Sequence, residues 1–328
     1  MITRRNILLA GGIGLFFAYT LGRGQPAGTI RRVGWLSLGS EAAVANLDAA
    51  FKQGMYELGW LEGKNVEYRM AYANSDASRL DALARELVRH QVDVILVGNG
   101  QSASAAQRAT KIIPIVMAGL ANAVGSGFVA SLAKPGGNIT GFTSQQDEVL
   151  GKVIGILHEV KPGARRIAIL LNESNSSYGW NWAAAQSACA ALDLVALRVV
   201  ASVPAQFAAA VEQIVRQQSQ AVAVSSDAMY FSERAKLQEL MQTTRLPVVY
   251  ELRDQVLAGG LLSYGYDVAA NYRNAAKYVD KILRGAKPAD LPVEQATKFE
   301  LVINLKTAKT LGLAIPQSVL LRADEVIQ

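Results

Sequence analysis

Apolar and polar positions along this chain alternate between two periods. Short β-branched runs fall at 33–38, 66–72, 92–97 and 113–117, separated by stretches in which apolar residues recur every three or four positions. The segment "SRLDALARELVRH" is one such helix: Leu80, Leu83, Ala84, Leu87 and Val88 share a face, and Ser78 with Asp81 offers a capping box at its start. A second series follows, "RIAILL", "LVALRVV", "AVAVSS" and "PVVYEL", in which Ile167, Leu194, Ala221 and Val248 stand 27 residues apart. That spacing holds one strand, one helix and their turns, so the series predicts a second parallel sheet rather than hairpins.

Between the two series, "KPGGNITGF" reads as a turn and marks the first crossing between lobes. The tail differs: "AGGLLSYGYD" is a glycine-flanked strand, "VAANYRNAAKYVDKILRG" a long amphipathic helix, and "KFELVINL" a last strand. A helix–strand remainder after two complete series implies that the chain crosses back. At 328 residues the chain exceeds the size at which one core keeps growing, so two lobes are expected. The division reads as an export signal at 1–27, a first lobe at 28–143 plus about 262–328, and a second lobe at 144–261. The last segment can return in part to the second lobe. Two α/β lobes joined by several connections make a hinge, and ligands of such sheets bind beyond the carboxyl ends of the strands. The cleft between the lobes is therefore the expected site.

Composition (51% hydrophobic, 18% charged) suits a packed α/β protein and changes little. The formal charge of +6 is more telling. Arg4, Arg5, Arg23, Arg31 and Arg32 all precede residue 33, with no acid among them, and cutting near Ala27 removes three, leaving 6 − 3 = +3. The remaining basic residues are scattered among acids, so no nucleic-acid partner is expected. The arginine pair at the start precedes 15 uncharged residues, Ile7 to Leu21. This is short of the roughly 20 needed to span a bilayer and has the proportions of a secretory signal. "TRRNILL" further resembles a twin-arginine export signal. A cleaved signal and a periplasmic protein are expected, with a retained membrane helix as the alternative.

Catalytic constellations are missing. There is no G-x-S-x-G, H-E-x-x-H or C-x-x-C; "GWLEGKN" is one residue short of a phosphate loop, and "GNGQSA" lacks the third glycine of a dinucleotide fingerprint. Cys189 lies alone in an Ala-rich helix, and His90 and His158 sit far apart on separate helices. No catalytic residue, metal or cofactor is expected. The strand ends do offer binding groups. In the first series they place Ser40, Asn99, Gln101, Ser102 and Asn122 at helix starts, where free amides attract an anion, and Ser144 closes "NITGFTS". In the second, "NESNSSYGWNW", "SSDAMYF" and "YELRD" supply Asn172, Tyr178, Trp180, Trp182, Asp227, Tyr230, Tyr250 and Glu251, with Tyr264 in "LLSYGYD". A side that welcomes a carboxylate, facing one that supplies a carboxylate and rings, suits an amino acid held at both charged ends. The plainer reading makes the Ser and Asn residues helix caps and the tryptophans packing groups; Asp227 stands evenly between cap and ligand.

The stretches "RLDALARELVRHQVDVILVGNG", "IPIVMAGLANAVGSGFVASLAKPGGNITGF", "LPVVYELRDQVLAGGLLSYG" and "YVDKILRGAKPADLPVEQATKFELVINLKTAKTLGLAIPQSVLLRADEVI" make the chain resemble ABC-transporter substrate-binding proteins of the tryptophan- and tyrosine-uptake kind. The resemblance implies a two-lobed type I periplasmic-binding-protein fold, each lobe a parallel sheet flanked by helices. It also implies a monomeric, non-catalytic receptor that closes on a small solute and presents it to the membrane permease of an ABC importer. Family binding positions fall on the loop at 98–102, the "AGLANAVG" loop, Asp227 and the Tyr250–Glu251 pair. Relatives often carry an acid and a proline where this chain has Asn122 and Ala123, which weakens the case for a ligand amine and leaves an uncharged solute or a small organic acid open. A sugar-repressor-like sensor would need a helix-turn-helix where the apolar segment stands. A hydrolase would need a nucleophile–base pair.

Overall fold

The computed structural model describes residues 30–144, 146–295 and 298–328, so the expected export signal at 1–27 lies outside the described residues. Its strands run in chain order β1 (Arg31–Ser37), β2 (Val66–Tyr72), β3 (Val94–Val97), β4 (Ile115–Ala121), β5 (Ile139–Ser144), β6 (Arg166–Leu171) and β7 (Val195–Val200). They continue as β8 (Ala221–Val224), β9 (Val248–Tyr250), β10 (Leu262–Tyr266), β11 (Glu294–Gln295), β12 (Phe299–Asn304) and β13 (Glu325–Ile327). Between them lie α1 (Glu41–Glu57), α2 (Leu80–Arg89), α3 (Gly100–Ala109), α4 (Gln146–Val160) and α5 (Tyr178–Ala191). Then follow α6 (Phe207–Arg216), α7 (Ala228–Ser232), α8 (Arg234–Gln242), α9 (Arg253–Leu257) and α10 (Val268–Leu283).

These strands form two sheets. The first has the order β11-β5-β4-β3-β1-β2 and the second β13-β12-β10-β9-β8-β6-β7. Every pairing is parallel except β10 with β12. The central strands β3 and β8 are buried throughout, as continuous apolar runs covered on both faces must be. The edge strands β2 and β7, paired with β1 and β6, carry exposed Arg69, Val195 and Arg198, because one side of each meets solvent. On one face of the first sheet α1 and α10 pack through Phe51, Met55, Tyr272 and Val279. The corresponding face of the second sheet holds α4 and α5 through Leu150, Ile154, Ala185 and Cys189. No helix among the described residues is long and apolar enough to cross a membrane.

The chain changes sheets between Ser144 and Gln146, between Tyr266 and Val268, and between Gln295 and Phe299. Of the stretch from 262 to 328 expected in the first lobe, α10 and β11 run with the first sheet, while β10, β12 and β13 are strands of the second. The first crossing also comes later than "KPGGNITGF" suggests. Gly136 sits in the turn, but the residues after it form β5, buried along its whole length. The predicted helix from Ser78 is entered through a short 3-10 turn at Ala77–Arg79, capped by Asp76, which accepts from the Ser78 amide at 3.0 Å.

Candidate functional site

In both sheets the strand order reverses beside the first strand of the series, between β1 and β3 and between β6 and β8. Loops leave in opposite directions at such a point and open a crevice at the carboxyl ends. A cavity of about 80 Å³ lies there, several times what one water needs. The first lobe contributes Gly39, Gly98, Asn99, Gly100 and Leu120, with Val44 and Leu47 on α1. The second contributes Asn175, Ser176, Ser226, Asp227, Phe231 and Leu252, and the second crossing adds Tyr266, Val268 and Tyr272. No lysine, arginine or histidine is among the lining residues, nor is Cys189.

Asp227 is the lining carboxylate. It N-caps α7 and is 5% exposed. Its Oδ1 accepts the amides of Met229 and Tyr230 at 2.9 and 3.4 Å, and its Oδ2 accepts Nδ2 of Asn172 and Asn175 at 3.1 and 2.8 Å. Burial raises its pKa above the ordinary aspartate value, and these four donors oppose that shift. Four donated hydrogen bonds suit the ionised form. Opposite, α3 starts at the cavity. Asn99 caps it, with Oδ1 taking the Ser102 amide at 2.9 Å. The Ala103 amide bonds Asn99 O, while the Gly100 and Gln101 amides have no acceptor among the described residues. Such amides point outward from a helix start and favour an anion.

Glu251 differs from Asp227 in kind. Its Oε1 accepts the Ser226 amide at 2.8 Å, its Oε2 has no partner, and burial pushes its pKa up to about 8. At neutral pH it is a protonated acid beneath the site, not a charge in it.

The mouth of the cleft is closed by contacts between lobes. Ser75 donates to Glu233 at 2.7 Å, Gln101 to Ser174 O at 3.0 Å, and Asn46 to Asp254 at 3.0 Å. Arg234 stacks on the lining ring of Phe231 at 4.8 Å and donates to Ala43 O of the first lobe at 3.2 Å. Tyr266 reaches back to Gly119 O at 3.3 Å.

Among the residues singled out from sequence, Asn99 and Asp227 line the cavity. Asn172 supports Asp227 from behind, and Gln101 spans the mouth. Ser40 caps α1 next to the lining Gly39. Ser102 is buried, its hydroxyl without a partner among the described residues, and Ser144 is buried at the end of β5 beside Tyr266; neither lines the cavity. Asn122 shapes a turn, with φ +41 and its Oδ1 on the Gly125 amide at 2.8 Å. Three tyrosines do not reach the cleft. Tyr178 turns outward to Glu173 and Arg198. Tyr250 enters the core and donates to Gln238. Tyr264 stacks on Phe299 at 5.9 Å in a groove beside α4. The same packing claims Trp182, which joins the second lobe's core, and Tyr230, which donates to Ala201 O at 2.7 Å. Sequence reasoning missed Tyr266, Val268, Tyr272 and Phe231, whereas the lining Gly98, Gly100 and Gly119 lie in the two loops that the family resemblance marks. Phe231 carried a signal, standing one helical turn after Asp227.

The fold and the cleft at its switch points define a two-lobed solute-binding protein. The profile of the ABC transporter substrate binding protein family matches residues 38–327, and the chain belongs to that family. It is 23% identical over 283 residues to the tyrosine-binding protein of Clostridioides difficile (strain R20291), covering 86% of this chain and 81% of that protein. The structure overlays with a TM-score of 0.84 on a Streptococcus pneumonia ABC domain in complex with L-Trp, at 24% identity, covering 91% of this chain and all of that one. A ligand-free, open substrate-binding protein with adhesive properties from Clostridium difficile overlays at 0.64, with 20% identity, 91% of this chain and all of the other covered.

Proposed function

We propose that this protein is the extracytoplasmic receptor of an ABC importer for a zwitterionic amino acid with an apolar side chain, which it binds as a monomer by hinge closure. The carrying observation is the polarity of the cleft. The free Gly100 amide at the start of α3 lines the cavity from one lobe, and from the other comes a buried carboxylate that no cation among the lining residues compensates. A carboxylate meets the first and an ammonium the second. Val44, Leu47, Phe231, Leu252 and Val268 form an apolar wall for the side chain. Asp227 has its hydrogen-bonding positions filled by neutral donors, so it acts on the ammonium by charge. The tyrosine and tryptophan named for the relatives support an amino acid. A doubly anionic acid would bring its second charge against Asp227, which disfavours the organic-acid reading.

Closure is supported by the contacts across the mouth and by the higher overlay on the tryptophan complex than on the open protein. A solute that touches both lobes stabilises a closed state the free protein already reaches. The basic, apolar start of the chain supports export through a twin-arginine signal. The family assignment favours neither a repressor-like sensor nor a hydrolase. The test is a thermal-shift screen of apolar L-amino acids, aromatic acids and small dicarboxylates, followed by calorimetry. Apolar amino acids are expected to raise the melting temperature by mass action. Shifts produced by dicarboxylates alone overturn the reading.

A further inference from the structure

Among the described residues five tyrosines are buried to 7% exposure or less. Four of them donate to protein acceptors: Tyr230 to Ala201 O, Tyr250 to Gln238, Tyr266 to Gly119 O, and Tyr278 to Pro292 O. Tyr272, 6% exposed, is the exception, with no hydrogen-bond partner among the described residues. The ring is buried while the residue lines the cavity, so its hydroxyl is available to a group that enters there.

Packing fixes where that hydroxyl goes. The ring lies against Trp35, with centroids 5.0 Å apart, which holds its direction. The oxygen rests on Gly98 so closely that a Cβ at that position would overlap it. Gly98, Gly100 and Tyr272 all line the cavity, and the Gly100 amide has no acceptor among the described residues. A phenol and a helix-start amide therefore line the same cavity, on either side of Gly98 and Asn99. Burial holds the phenol's pKa well above its ordinary value, so it meets a ligand as an O–H donor.

We infer that Tyr272 is a ligand-binding residue, its hydroxyl donating to a carboxylate oxygen of the solute beside the amide of Gly100. This rests on the receptor reading above and narrows it. The solute presents a free carboxylate to the first lobe, and the corner selects against the corresponding carboxamide. Amides can only donate, and the NH₂ of a carboxamide would set donor against donor. A carboxylate accepts from both groups, and hydrogen bonds to a charged acceptor are the stronger kind.

The experiment is calorimetry on the purified protein with L-tryptophan, L-tyrosine and L-leucine and with the carboxamide of each. Wild type is expected to prefer the acids. Tyr272→Phe keeps the ring on Trp35 and removes only the oxygen. It should weaken the acid by about tenfold to a hundredfold, leave the carboxamide almost unchanged, and melt at the wild-type temperature without ligand. An equal loss for acid and carboxamide, or no loss for the acid, overturns the assignment. So does a wild type that binds carboxamides as tightly as acids, although the receptor reading then survives. Failure of every acid to bind overturns both.

Discussion

In the first lobe the ends of β1, β3 and β4 reach the cleft as Gly39, Gly98, Gly100 and Gly119; in the second the ends of β6, β8 and β9 reach it as Asn175, Ser176, Ser226, Asp227 and Leu252. The two sheets repeat the same reversal of strand order, so the difference lies in what stands on equivalent rims. The first rim is mostly glycine backbone, and its polarity comes from donors, the Gly100 amide at a helix start and the Tyr272 hydroxyl. The second is built from side chains that bond one another, with Asn172 and Asn175 both turned onto Asp227. One fold unit used twice thus gives a corner that donates and a corner that carries negative charge. A ligand with two unlike ends is what such a pair can tell from its reverse.

The largest expected effect comes from removing that asymmetry at its charged end. Asp227→Asn keeps the size of the side chain but sets its NH₂ against donors that now serve a carboxylate. Affinity for an amino acid, measured by calorimetry, should fall at least about tenfold, and stability should fall by about 1–3 kcal/mol. Unchanged affinity would place the ligand amine elsewhere. At the bare end, Gly98→Ala inserts a Cβ where the Tyr272 hydroxyl lies. That displacement should cost about 1–3 kcal/mol of stability and weaken acids more than their carboxamides.

Asp227 was legible in the sequence because a carboxylate directly after a buried β-branched run has few places to go but the carboxyl edge of the sheet. The repeated β-α period likewise revealed two parallel sheets. Tyrosines were less legible. Tyr264 and Tyr266 stand two apart on one strand, yet Tyr264 packs on Phe299 while Tyr266, at the crossing, swings toward the first sheet's Gly119. Tyr272 lies in the middle of an amphipathic helix, where its pattern marks it as core. Only the return of the chain after β10, and a glycine across from it, turn it into a cleft residue. Such pairings join positions far apart in sequence, and hydrophobic periodicity carries no record of them.

A subtler contrast separates the two buried acids of the second lobe. Asp227 is bonded by four donors, Glu251 by one. The Glu251 pKa rises from an ordinary 4.5 to about 8, so between these values the unfolded chain loses this proton while the folded protein keeps it. Stability from this group is complete below pH 4.5, falls as pH rises toward 8 at about 1.4 kcal/mol per unit, and is gone above that. Glu251→Gln should flatten denaturation midpoints measured from pH 5 to 8. A wild-type slope retained in the variant would assign it to another group.

The smallest effect tests closure apart from chemistry. Ser75, with φ +62, holds its hydroxyl on Glu233 across the mouth and touches no cavity residue's polar group. Ser75→Ala removes one interlobe hydrogen bond, worth about 0.5–1.5 kcal/mol, only in the closed state. Opening should become easier by that amount, so affinity falls about two- to tenfold for every solute alike, acid or carboxamide. Small-angle scattering of the ligand-free variant should show a larger radius of gyration. The uniformity is the point: changes at Asp227 or Gly98 alter which ligand is preferred, whereas a change at the mouth alters only how often the lobes meet. If Ser75→Ala shifts preference between acid and carboxamide, the mouth and the binding corners are not independent, and the division of labour between the two rims fails.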